Sequence, residues 1–194
     1  MKLATLLLGA ALLISEVTSS RPVSGRGLTT FVKHFSFTIQ SPRPFTFSYP
    51  ASWSVYRPKN LMGSVDITFA YLGNVRLPVP CTRHPSSVFC SAFRSGPLSR
   101  GGVVVSWDSH VVLGAPSVKA VKGIPMKLGV GPAKLSIRSG RAFGCPVGTG
   151  RSLSVDVFRT GVSTQFLVAA CLRQPGIALH QQQVLAMLNS LHND

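Results

Sequence analysis

Carboxylates are nearly missing from this chain. Its 194 residues hold five acidic side chains, Glu16, Asp66, Asp108, Asp156 and Asp194, against 20 lysines and arginines. No glutamate follows Glu16. A glycoside hydrolase works with two facing carboxyl groups. A two-metal hydrolase holds its ions on several carboxylates or histidines. Asp66, Asp108 and Asp156 lie far apart in sequence, so either site would need them to converge with none to spare. Calcium, which takes many oxygen ligands, meets the same shortage.

Other signatures are missing too. No C-x-x-C pair occurs, and Cys81, His84 and Cys90 have no fourth ligand nearby, which argues against zinc. No G-x-S-x-G elbow occurs; "GPLSRG" (residues 96–101) has Pro97 where the first glycine belongs. "GCPVGTGRS" (residues 144–152) has Cys145 and Arg151 where a phosphate loop needs glycine and lysine. It reads better as a disulfide-tied turn before a strand. No cofactor is expected. No segment is long and apolar enough to span a bilayer, which takes roughly 20 such residues.

The start of the chain has the layout of a secretory signal peptide: Lys2, an uncharged apolar run over residues 3–14, then small residues at Thr18, Ser19 and Ser20. Residues 1–20 are therefore expected to be a signal peptide and residues 21–30 a flexible leader. Residues 31–194 are expected to form one domain, apolar enough for a real core. The expected location is outside the cell or on the outer face of the envelope. The four cysteines, Cys81, Cys90, Cys145 and Cys171, fit disulfides in an exported chain. Three connectivities exist. Cys81–Cys90 with Cys145–Cys171 is favoured because each pair closes a modest local loop.

Alternation of apolar and polar residues predicts strands over residues 31–40, 45–50, 65–72, 75–80, 87–93, 133–139, 152–158 and 164–172. The last two form a hairpin around "RTGVS". The prolines Pro116, Pro125 and Pro132 leave their region without a strand. "LHQQQVLAMLNSLH" (residues 179–192) puts Val184, Leu185, Leu188 and Leu191 on one helical face. The expected fold class is α+β: a largely antiparallel sheet with a C-terminal helix packed on it.

"GVVVSWDSHVVLGA" (residues 102–115) brings Ser106, Asp108 and His110 within five residues, the three side chains of a hydrolase triad. On a strand all three share one face. Ser106 and His110 then stand roughly 13 Å apart with Asp108 between them, whereas a triad needs the histidine in the middle. A structural strand is the better account, with Trp107 packed in the core or capping its edge. The alternative is a small secreted hydrolase using His110 with partners distant in sequence. Paired cysteines would leave no free thiol for one.

What the chain has in excess is positive charge. Between Ser109 and Val155 no acidic residue occurs, while Lys119, Lys122, Lys127, Lys134, Arg138, Arg141 and Arg151 all fall there. Such a surface attracts polyanions in a salt-dependent way. The cations are dispersed, with no basic block, RNA-binding aromatic signature or recognition helix, which argues against nucleic acid.

Two stretches carry a likeness to a known group. "FTFSYPASWSV" (residues 45–55) resembles the F-x-Y-P-x-x-W segment near the start of PsbP-like domains. "QVLAMLNSL" (residues 183–191) resembles their closing helix. "AACLRQPGIA" (residues 169–178) is similar to small exported actinobacterial proteins of unknown function. The resemblance covers the two ends and not the middle. It implies an α/β sandwich with an antiparallel sheet and a non-catalytic role, and it transfers no site residues. Lipoprotein members of the group carry a lipidated cysteine that this chain lacks. The functional expectation is an exported, non-catalytic, envelope-associated binding or accessory protein. Its partner would be an anionic envelope polymer, a lipid headgroup or another envelope protein.

Overall fold

The computed structural model describes residues 28–33, 45–57, 66–76, 81–84, 87–90, 96–111, 118–142, 144–159 and 164–193. The expected signal peptide lies outside them. The described strands are β1 (Leu28–Lys33), β2 (Phe45–Pro50), β3 (Ser54–Tyr56), β4 (Asp66–Gly73), β5 (Cys81–His84), β6 (Ser87–Cys90), β7 (Val103–Val111), β8 (Ile124–Leu128), β9 (Gly131–Ser139), β10 (Arg151–Phe158), β11 (Thr164–Leu172) and β12 (His192–Asn193). One helix, α1 (Ile177–Asn189), precedes β12. A seven-stranded sheet runs in the order β3-β4-β7-β11-β10-β9-β8, a three-stranded sheet in the order β1-β2-β12, and β5 pairs with β6. Every described pairing is antiparallel. The fold is α+β, as the alternation and the C-terminal periodicity predict.

Period-2 patterning decides which face of the large sheet is dry. Val103, Val105 and Trp107 of β7, Leu153, Val155 and Val157 of β10, and Phe166, Val168, Ala170 and Leu172 of β11 all enter one core. Phe45 and Phe47 of β2 and Val184, Met187, Leu188 and Leu191 from the C-terminal region close it from the other side. Trp53 is buried there as well. The helix has no acidic residue in its first turn and no basic residue in its last. Without those dipole-matching charges, its stability comes mainly from this packing. Ser190 ends it: its Oγ donates to the Met187 carbonyl at 2.7 Å and accepts from the Ser48 amide of β2 at 2.8 Å. At Gly129, in the β8–β9 turn, an added Cβ would lie 2.3 Å from the Leu191 carbonyl oxygen, so only glycine allows this close approach.

Several expectations need correcting. The leader ends earlier than Thr30, because Leu28, Thr29 and Thr30 already pair with Pro50, Tyr49 and Ser48. Val75 and Arg76 are not in a strand. The region around Pro125 does form a strand, β8, at the edge of the sheet. The helix starts at Ile177, and Met187 rather than Leu185 takes the fully buried position beside Val184 and Leu188. The Cys145–Cys171 disulfide is formed. The β5–β6 ladder sets Cys81 opposite Cys90, but their side chains lie outside the described residues.

Candidate functional site: the polar face and basic edge of the seven-stranded sheet

The outer face of the large sheet carries its polar chemistry. On β4 and β7, Thr68 stands opposite Asp108 and Tyr71 opposite Ser106. The ladder shifts register between Thr68 and Ala70. Phe69 is the extra residue of a β-bulge, and both Phe69 and Ala70 go into the core. Strict alternation from Thr68 would send Tyr71 inward; the bulge returns it to the outer face. The adjacent apolar pair Phe69–Ala70 in "DITFAYLG" is the sequence signal for this, and alternation alone passes over it.

Asp108 is the hub. Thr68 Oγ1 donates to its Oδ1, and Ser106 Oγ donates to its Oδ2 at 3.0 Å. Tyr71 hydrogen-bonds with Thr68 and lies against Tyr56 of β3, with ring centroids 6.3 Å apart. Ser106 is fully buried. Its proton sits on a carboxylate, not on an imidazole, so the serine is not arranged as an activated nucleophile. In the ladder His110 stands opposite Asp66 and Gln165; its ring lies outside the described residues. The rings of His180 and His192 meet the Gly101 carbonyl, Gln183 and the Ser190 carbonyl at 2.9–3.0 Å. Among the described residues, no group of three or more His, Cys, Asp or Glu is placed to hold a metal ion.

Burial pushes the Tyr71 phenol up to about 12; the Thr68 hydroxyl opposes this, and the charge of Asp108 and the neighbouring Tyr56 add to it. An unfolded tyrosine titrates near 10. Below that pH both states keep the proton and stability is level. Between about 10 and 12 the unfolded state loses its proton first, so stability falls as pH rises, by roughly 2–3 kcal/mol in all. Urea unfolding of the wild type and of Tyr71→Phe from pH 9 to 11.5 should show this slope only in the wild type. Parallel curves would remove Tyr71 as its source.

The seven basic residues singled out from the sequence are not on one surface. Lys127 of β8 and Lys134 of β9 are diagonal neighbours, because Lys127 pairs with Pro132 and Lys134 with Pro125. Arg138 follows on the same outer face of β9 and is exposed. Lys119 and Lys122 are exposed in the segment leading into β8, and Arg141 is exposed just after β9. All six therefore lie on β8, on β9 or in the segments that flank them. Arg151 does not join them. It pairs with Ser139, on the opposite face, and its Nη1 donates to Gln181 Oε1 of the helix at 2.8 Å. On the outer face inward from the edge, Asp156 stands opposite Lys134 and accepts from Gln165 Nε2 at 2.9 Å.

The dry face also holds polar groups. The Arg159 guanidinium is buried over the rings of Phe45 and Phe166, 5.7 and 5.1 Å from their centroids, and reaches Asn193 Oδ1. Trp107 Nε1 and Ser109 Oγ are buried with no hydrogen-bond partner among the described residues, each at a cost of about 1–3 kcal/mol.

No protein-family model matches the chain, and no curated protein matches it. A crystal structure of a Bacteroides thetaiotaomicron protein is similar at 15% identity, with a TM-score of 0.39 over 77% of this chain. The chain spans 45% of that protein's length.

Proposed function

We propose that the protein is an exported, non-catalytic, envelope-associated module that binds an anionic polymer or lipid headgroup through the β8–β9 edge. The observation that carries this reading is the gathering of Lys119, Lys122, Lys127, Lys134, Arg138 and Arg141 around one sheet edge. Repeated phosphate or carboxylate groups are the ligand chemistry such an edge attracts. The PsbP-like resemblance belongs to the same proposal. In its favour, the two stretches that carry it pack on each other, with Ser48 bonded to Ser190. The role of Asp108 in this reading is structural: it knits β4 to β7, which β11 and β10 separate from the basic edge.

The test is cosedimentation of the protein with isolated envelopes, and separately with anionic vesicles, across a salt series. Each cation near an anionic surface contributes about 1 kcal/mol. Replacing Lys127, Lys134 and Arg138 by glutamine should therefore weaken binding on the order of a hundredfold at low salt. Binding to vesicles would name a headgroup, and binding to lipid-extracted envelopes a polymer. Unchanged binding by the triple variant would overturn the reading.

A further inference from the structure

The basic edge is also stepped. β9 runs from Gly131 to Ser139, but β8 covers it only as far as Leu135, which pairs with Ile124. The β8 line stops there. The preceding Gly123 has φ +148°, and its neighbours form turns and bends instead of continuing the strand. Ile137, Arg138 and Ser139 are exposed, and among the described residues nothing lies within 4 Å of a Cβ placed on Gly140.

The direction of the backbone on this ledge follows from its other side. The Gly140 amide donates to the Gly150 carbonyl of the β9–β10 hairpin at 2.8 Å. Backbone groups in an antiparallel ladder alternate in direction. Arg138 and Ser136 thus face β10, while Ile137 and Ser139 face the edge. Gly123 supports this phase: a Cβ on it would lie 2.9 Å from the Leu135 carbonyl oxygen, so Leu135, two residues before Ile137, turns its backbone to the β8 side. Ile137 and Ser139 therefore present their N–H and C=O groups along the line β8 has left.

Side chains define what fits. Ile137 is 39% exposed and Ile124 57% exposed, and they are diagonal neighbours on the core-side face. Arg138 projects from the opposite face. A strand laid on the ledge would set apolar residues beside Ile137 and Ile124, and an acidic residue beside Arg138, which can hold a carboxylate through paired N–H groups. A second copy of this chain fits poorly, because its own edge would bring like charges together.

We infer that the β9 ledge is a strand-addition site for an extended protein segment that alternates apolar and acidic residues. This goes beyond anion binding, since it requires backbone pairing. The probe is an end-blocked heptapeptide alternating valine with aspartate, added to the full chain at physiological salt. Amide exchange measured by NMR should slow at Ile137 and Ser139. Peptides N-methylated on the alternate residues whose amides face β9 should bind at least tenfold more weakly, while methylation of the other set should change little. Ser139→Pro, which removes one edge-facing donor and no β10 pairing, should also abolish peptide binding and leave vesicle and envelope binding intact. That last contrast separates this inference from the proposed function.

Equal binding by both methylated peptides would overturn the inference. So would absence of protection at Ile137 and Ser139, or protection produced by anionic vesicles but not by the peptide. Concentration-dependent protection without peptide would assign the ledge to a second copy instead.

Discussion

Trp107→Ala is expected to cost about 4 kcal/mol of stability, in the middle of the range for removing a buried aromatic side chain. Trp107→Phe should cost less than about 1 kcal/mol. Trp107 is fully buried and stacks on Phe47 with centroids 4.6 Å apart and planes 7° from parallel. Phe45, Phe69 and Phe166 surround it at 6.0–6.2 Å. The ring joins β7 of the large sheet to β2 of the small one, so alanine would leave a cavity between the two layers. Phenylalanine keeps a stacked ring. It loses volume worth roughly 1 kcal/mol, but it also removes the unpartnered Nε1–H, whose burial costs about 1–3 kcal/mol. Urea unfolding followed by far-UV circular dichroism measures both variants. A loss for Trp107→Phe close to that for Trp107→Ala would mean that the indole N–H is satisfied in solution.

The sequence exposes this core because alternation survives in the central strands. β2 and β11 lie where the pattern puts them, residues 45–50 and 164–172. The edges are harder to read. Pro125 argues against a strand, yet β8 is an edge strand in which the missing N–H points away from β9. Three-residue β3 and two-residue β12 are too short for any period to register. The candidate site is legible in kind but not in arrangement. Ser106 and Asp108 do share a face, bonded at 3.0 Å. Their partners Thr68 and Tyr71 come from another strand, brought in by a bulge whose register only the folded ladder fixes. Arg151 looks like its basic neighbours in the sequence, and pairing parity sends it to the helix side.

Removing the Cys145–Cys171 disulfide should cost about 3.5 kcal/mol, the second-largest expected effect. The bond links residues 26 apart, and closing a loop of that length in the unfolded chain accounts for the figure on the chain-entropy model. The bond also has a local role. Cys145 lies in the β9–β10 connection and Cys171 in the central strand β11, and both pack with Leu98 and Val104 on the outer face. The Leu98 amide donates to the Val147 carbonyl at 2.8 Å, and the Arg173 guanidinium donates to the Leu98 carbonyl. Opening the bridge should therefore loosen residues 144–150 before the core yields.

The variant Cys145→Ala/Cys171→Ala separates the two contributions. An unfolded-state effect lowers the urea midpoint while the native exchange pattern stays as in the wild type. A native-state effect speeds amide exchange at Leu98 and Thr149 without denaturant. The expected result is a midpoint loss equivalent to about 3.5 kcal/mol, with faster exchange confined to this turn and β7–β11 pairing intact. A loss below about 1 kcal/mol would mean that the hydrogen bonds around Leu98 hold the turn without the bridge. Spread of fast exchange into β11 would make the disulfide a support of the sheet that positions the basic edge, so the binding assays would then need to be repeated under reducing conditions.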